Sequence, residues 1–393
     1  MRKALRHLLE GAAFALVTLS AGCSGMLSTL GLKADESQPA PVVWEAQSAA
    51  AATRPALGAQ TADLASPTDD LPGKGVNIFG EMGGLPRGLA KLASDGGFQQ
   101  HTVAQEGYDA DVSLDPTGKW LVFSSTRHSE HAHLYLQKVD GQAVTELTRG
   151  QWDDVQPAFS PDGKRIAFAS TRNGRWSLYL VDADGRNVTQ VTNGPGHDMH
   201  PSFAPDGNRL VYCSLGRSDQ WELWTIDLTT MEKRMVGSGL FPVWSPEKGV
   251  DRIAFQRARQ RGSRWFSVWT MDLVDGEPRR LTEVAVSASA AVISPAWSPD
   301  GKRLAVATVT DPAKADRASG KQDIWVFNSD GAGKQRLTDG GVNLSPVWSP
   351  GGRVFFVSDR GGKENVWSTG SQAASVLTAD KKDDKSAIGS ANE

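Results

Sequence analysis

The chain of 393 residues has only two cysteines, Cys23 and Cys213, so no disulfide framework can hold it together. Neither sign of charge is in excess: 42 Lys and Arg stand against 45 Asp and Glu, a formal net of −3. With no basic stripe, the sequence offers nucleic acid no electrostatic footprint. After Leu19 no segment is long and apolar enough to span a bilayer as a helix. No Gly-x-Ser-x-Gly pentapeptide occurs, which removes the elbow that presents a hydrolase serine. Asp182-Ala-Asp-Gly185 lacks the downstream Glu of an EF-hand loop and reads as a hairpin turn.

What the chain does contain is one phrase, a turn followed by an apolar strand, written six times. It begins at Leu114, Phe159, Phe203, Trp244, Trp297 and Trp348, and its turn prolines are Pro116, Pro161, Pro205, Pro246, Pro299 and Pro350. A period of this size with strand signals inside each unit predicts a β-propeller. The second copy shows the unit. A strand ending at Phe159 meets the turn Pro161-Asp-Gly163, where proline pre-sets φ and glycine takes the left-handed position. The next strand is Arg165 to Ser170, followed by the loop Thr171 to Gly174, a third strand from Trp176, the turn at Asp182 and a fourth strand near Val188. Four strands in sequence order make an antiparallel meander.

Both faces of such a sheet are apolar, so each must be covered, and radial stacking of blades does this. The fold class is therefore all-β: a six-bladed propeller of four-stranded antiparallel blades. Tyr135, Tyr179, Trp224, Trp269, Trp325 and Trp367 recur in phase on the third strands and read as inter-blade core. Leu89 to Thr102 resembles the second half of a repeat, and we expect it to close the ring against the last blade, whose own outer strand (Ser375 to Ala379) is short.

Residues 1–23 read as a lipoprotein signal peptide. Arg2, Lys3 and Arg6 precede an apolar run, and Leu19-Ser-Ala-Gly-Cys23 places small residues before a cysteine. Cys23 would be lipidated and become the mature N-terminus, anchoring the chain by several acyl chains. The mature chain would carry 39 basic and 44 acidic residues, a net of −5. Residues 24–75, rich in Ala, Pro, Ser and Thr, read as a disordered tether. The propeller is expected over 76–378 and a disordered polar tail over 379–393. Cys213 falls in a second strand and reads as a small buried apolar residue.

The repeats resemble the TolB-type propeller family, whose hallmark Pro-x-Trp/Phe-Ser-Pro-Asp-Gly-Lys-x-Ile-Ala-Phe is nearly complete at Pro157 to Phe168 and Pro295 to Val306. The resemblance covers roughly 270 of the 393 residues. It implies a cell-envelope, periplasmic setting and a propeller that binds a peptidoglycan-associated lipoprotein or another Tol component. The chain departs from TolB in its lipoprotein signal and in lacking the N-terminal α/β domain, which points to a paralogue with another partner. Similar repeats also precede the catalytic domain of prolyl-oligopeptidase-like enzymes. With no serine elbow and no chain left for that domain, peptidase activity is not expected.

Loops on a rigid scaffold usually carry binding. The loops entering the first strand and leaving the second fall on one face of the ring, the top face. Asp109, Asp154, Asp198 and Asn343 recur three residues before the expected strand starts, and Arg127, Arg172, Arg217 and Arg360 recur in the loop after the second strand. They read either as loop-capping pairs or as a partner-binding ring. Histidines cluster at His128, His131 and His133 and again at His197 and His200. As imidazoles ligate transition metals, a metal site using His128, His131, His197 and His200 is the alternative, and metal-dependent propeller lyases of this repeat type are similar. The principal expectation is a non-enzymatic, cofactor-free protein-binding scaffold, lipid-anchored at the periplasmic face of the outer membrane. The alternative is a metal-dependent polysaccharide lyase or glycan-binding propeller.

Overall fold

The computed structural model describes residues 76–77, 97–104, 106–216, 220–258, 266–287, 290–310, 322–339 and 341–370. The signal peptide with Cys23, the linker, Arg217 and the tail lie outside the described residues.

Six sheets carry the phrase, one per repeat. Blade 1 comprises β3 (Asp109–Leu114), β4 (Trp120–Ser125), β5 (His133–Lys138) and β6 (Val144–Glu146). Blade 2 comprises β7 (Asp154–Phe159), β8 (Arg165–Ser170), β9 (Ser177–Asp182) and β10 (Thr189–Gln190). Blade 3 comprises β11 (His197–Phe203), β12 (Arg209–Leu215), β13 (Trp221–Asp227) and β14 (Lys233–Ser238). Blade 4 comprises β15 (Leu240–Trp244), β16 (Arg252–Ala258), β17 (Phe266–Val274) and β18 (Glu277–Val286). Beside β18 runs a short parallel strand, β1 (Val76–Asn77). Blade 5 comprises β19 (Ala290–Trp297), β20 (Arg303–Thr310), β21 (Gln322–Asn328) and β22 (Gln335–Arg336). Blade 6 comprises β23 (Asn343–Trp348), β24 (Arg353–Ser358), β25 (Asn365–Gly370) and β2 (Gln99–Gln100).

The fourth strand of blade 6 thus precedes blade 1 in the chain, as expected for the end of the segment Leu89 to Thr102, whose residues 89–96 lie outside the described residues. Gln99 and Gln100 pair antiparallel with Ser368 and Trp367. One hydrogen bond certifies the equivalence. Thr148, Thr192 and Thr338 each follow a fourth strand and accept the amide of Leu134, Leu178 or Ile324 at 2.9–3.0 Å. Thr102 accepts the amide of Val366 in the same way, at 2.9 Å. His101 adds a clamp between blades: its ring nitrogens lie 3.0 Å from Val139 O and 2.8 Å from Ser368 Oγ. Ser375 to Ala379, expected as the outer strand of this blade, lies outside the described residues.

Blades stack by burying apolar faces against one another. Val122, Leu134 and Leu147 of blade 1 pack with Ile166, Phe168, Tyr179 and Val181 of blade 2. The opposite face of blade 1, with Leu121 and Phe123, meets Phe355 and Val366 of blade 6 and completes the ring. Tyr135, Tyr179, Trp269 and Trp325 are buried, while Trp224 and Trp367 are half-buried. Each buried aromatic removes about 150–250 Å² from water, and this apolar burial is the main force joining the blades.

Candidate functional site

Asp109 opens β3, Asp154 opens β7 and Asn343 opens β23, while Asp198 is second in β11. The strands therefore start earlier than the sequence pattern suggested, and these residues sit in the ladder rather than in loops. Their amides tie neighbouring blades: Asp109 N donates to Glu364 O, Asp154 N to Ala132 O and Asp198 N to Trp176 O, at 2.8–3.0 Å. Their side chains meet the loop arginines of the same blade. Arg127 Nη2 donates to both Asp109 oxygens at 2.8 and 2.7 Å, and Arg172 Nη2 donates to Asp154 Oδ1 at 2.9 Å. Arg360 Nη2 donates to Asn343 Oδ1 at 3.0 Å. In each case the arginine Nε also donates to the serine two residues earlier, Ser125, Ser170 or Ser358.

The guanidiniums are stacked as well as paired. Arg127 lies over Phe123 and Tyr135, and Arg172 over Phe168 and Tyr179. Arg360 lies 3.6 Å from the Phe98 centroid, and desolvation holds its pKa below the usual value. The acids of the first two pairs are fully buried, and the arginines are the more exposed partners, at 9% and 18%. A planar fork held by hydrogen bonds and ring faces fixes the top-face loops rigidly.

The histidines do not converge. His128 faces Tyr135, His131 lies 3.5 Å from Asp153, and His133 is buried as the first residue of β5. His197 Nδ1 accepts from Trp176 N at 3.4 Å, and His200 points into the central channel. Among the described residues, no three His, Cys, Asp or Glu side chains are grouped as a metal ion requires.

The channel is the feature sequence reasoning missed. Every innermost strand breaks register at one residue with positive φ: Asp111, Gln156, His200, Phe241, Ser294 and Ser345, at +50 to +56°. Such a conformation is uncommon outside glycine, and a bulge re-aims the side chain. All six line one cavity of about 590 Å³, running from this collar to the exposed turn prolines on the face opposite the loops. Five of the six are followed by proline (157, 201, 242, 295, 346), which cannot donate to the ladder. That x-Pro pattern inside a strand was the available signal.

Three adjacent collar residues form a chain. Ser124 Oγ and Gln156 N both donate to Asp111 Oδ2, at 2.9 and 3.3 Å. Gln156 Oε1 accepts from His200 N at 2.9 Å, so its amide NH2 faces His200 Nε2 at 3.0 Å. That nitrogen must accept, which places the imidazole proton on Nδ1. Burial depresses the His200 pKa to about 3 and pushes Asp111 up to about 6. His200 also packs against Phe241, their centroids 3.8 Å apart and the rings tilted by 41°.

The fold is thus a six-bladed propeller with a bulged inner collar and arginine-fixed loops. The TolB β-propeller domain model matches residues 89–237 and 237–392. The chain belongs to the TolB β-propeller domain family. It is 31% identical over 147 residues to the Tol-Pal system protein TolB of Anaeromyxobacter dehalogenans, covering 35% of this chain and 29% of that protein. It is 27% identical over 268 residues to dipeptidyl-peptidase 5 of Porphyromonas gingivalis, covering 65% of this chain and 38% of that protein. The match thus spans well under half the length of these curated relatives. A solved putative TolB from Agrobacterium tumefaciens superposes with TM-score 0.52 at 20% identity, over 67% of this chain and 90% of that one.

Proposed function

We propose that this protein is a non-enzymatic scaffold of the bacterial cell envelope. It is anchored by lipid on Cys23 at the periplasmic face of the outer membrane and binds an envelope protein through its top-face loops. The observation that carries the reading is the repeated arginine latch. Arg127, Arg172 and Arg360 each lock a loop by hydrogen bonds and aromatic stacking, which pre-organises a surface and lowers the ordering cost of binding. Kinship with Tol-Pal system proteins supports an envelope partner, a peptidoglycan-associated lipoprotein or another Tol component. Asp198 and Arg217 complete the ring in this reading.

Site-specific photocrosslinking in cells tests the face. A probe at the exposed loop position Glu130 should yield a discrete envelope-protein adduct, and one at Asp162, on the opposite turns, should not. Adducts from Asp162 alone would overturn the assignment of the face. Cys23→Ser should release the chain from membranes, and persistence in the membrane fraction would refute the anchor. The enzymatic alternative predicts unsaturated uronate products from a polysaccharide panel, and the scaffold reading predicts none.

A further inference from the structure

The cavity behind the collar lies away from the top face and is unused by the scaffold reading. Its deep end holds a carboxyl group, Asp111. The group's Oδ2 takes two hydrogen bonds, and its Oδ1 takes none among the described residues. Among the described residues no cation pairs with it: the arginine latches belong to Asp109 and Asp154. The acceptors of the next two collar residues are already engaged. Gln156 Oε1 is held by a backbone amide, and His200 Nε2 by the Gln156 NH2. Asp115, nearer the mouth, is consumed by its own turn, where Oδ1 accepts from Lys119 N and Trp120 N at 2.8 and 2.7 Å. Below the collar the walls are mainly apolar, with Val112, Phe159, Val243, Trp297 and Trp348 among them; the Ser113 and Ser202 hydroxyls there accept backbone amides of the next blade, and the exposed Lys248 sits by the turn prolines.

One open carboxylate oxygen at the end of an apolar tube fits a particular chemistry. A metal ion needs several oxygen or nitrogen donors, and among the described residues no three His, Cys, Asp or Glu side chains group around Asp111. A neutral apolar molecule would leave the carboxylate desolvated and unpaired, which is costly. A primary ammonium on an apolar stem satisfies both parts: the head donates to Asp111 Oδ1 and the stem lies along the walls. A cavity of about 590 Å³ is in the range of small-molecule sites.

We infer that the propeller channel is a binding site for a primary ammonium group carried on an apolar stem, entering between the turn prolines and held by Asp111. The group could be a free amine or a lysine side chain of a peptide, since the recognised chemistry is the same. The collar makes the site directional, because positive φ at Asp111, Gln156 and His200 turns all three side chains toward the lumen.

The test uses the full-length protein and calorimetry, with tryptophan fluorescence as a second readout because Trp297 and Trp348 line the walls. Phenethylammonium is titrated alongside its neutral analogue phenethyl alcohol, and Ac-Ala-Lys-Ala-amide beside its norleucine counterpart. The charged member of at least one pair should bind at least about tenfold more tightly, the scale of a charge-assisted hydrogen bond. Asp111→Asn should abolish that preference. A preference confined to the amine pair assigns the site to free amines, and one in the peptide pair assigns it to a partner's lysine. Equal affinity of charged and neutral probes, or no binding of either ammonium up to about 10 mM, a Kd too weak for a specific site, would overturn the inference. Calcium binding that Asp111→Asn removes, without any ammonium binding, would overturn it too. If Asp111→Asn fails to fold, the contrast between charged and neutral probes on the unaltered chain still decides.

Discussion

Asp111→Asn should make the protein more stable at neutral pH, although it removes a group that takes two hydrogen bonds. The amide keeps those bonds, since its oxygen can accept from Ser124 and Gln156 as Oδ2 does. What it removes is a half-buried, largely desolvated negative charge. In the unfolded chain the carboxyl loses its proton near 3.8, and in the fold it holds it to about 6. Between these values the folded state binds more protons, so this contribution to stability falls as pH rises from about 4 to about 6 and stays lost above. A rise of that size corresponds to roughly 3 kcal/mol at full burial. Asp111 lines the lumen and is only half-buried, so about half, 1–2 kcal/mol, is the working figure. That translates into a melting point about 2–6 °C higher for the variant near pH 8, with no difference near pH 4. His200 works the other way. Its pKa is lowered from 6.5 to about 3, so its contribution is lost as pH falls below the unfolded value. It is present in both proteins and cancels in their difference. Scanning calorimetry across pH reads this directly. A variant that melts lower than the parent near pH 8, or a difference that does not change with pH, would refute the reasoning.

Other outcomes follow from single contacts. Thr102→Ala should cost about 1–2 kcal/mol, matching Thr148→Ala, because both remove the acceptor of a buried third-strand amide. A negligible loss by denaturant titration would deny β2 its role in closing the ring. Arg172→Ala should cost about 3–5 kcal/mol by leaving Asp154 buried and unpaired, and the double variant with Asp154→Ala should cost less than the sum; additivity in a double-mutant cycle would show that the pair is not coupled. Gly163→Ala should destabilise by about 1–3 kcal/mol, since φ is +71° and a Cβ would meet Pro116 of the previous blade at 3.2 Å. Cys213 is buried and desolvation raises its thiol pKa strongly, so it should resist alkylation until the chain unfolds.

The blade pattern was legible because each turn carries its own chemistry. Proline and glycine mark the hairpin, and aromatics recur in phase on strands that must cover one another. Even the closing segment was readable, since His101-Thr102 occupies the position of Leu147-Thr148 and Leu337-Thr338. The collar was not. A residue's left-handed φ leaves no mark on its identity when Asp, Gln, His, Phe and Ser all fill the post, and only the proline beyond it hints at a broken ladder. The recurrence of Asp109, Asp154, Asp198 and Asn343 can be read in the sequence, but their depth cannot. Strand ends depend on tertiary pairing between blades, here the amides of Asp109 and Asp154 reaching Glu364 and Ala132, and such contacts are nonlocal. The histidines looked grouped because sequence proximity ignores direction. His131 and His133 lie at the entry to β5, while His200 faces the lumen.

The central claim is that arginine-latched loops present a protein-binding face. Affinity capture from solubilised envelope, with the full-length chain as bait, tests it most directly. The comparison is the Asp154→Ala/Arg172→Ala double variant, checked by its melting curve to be folded. One discrete envelope protein should be retained by the parent chain and lost from the variant. Retention of the same protein by both, or of none by either, would contradict it.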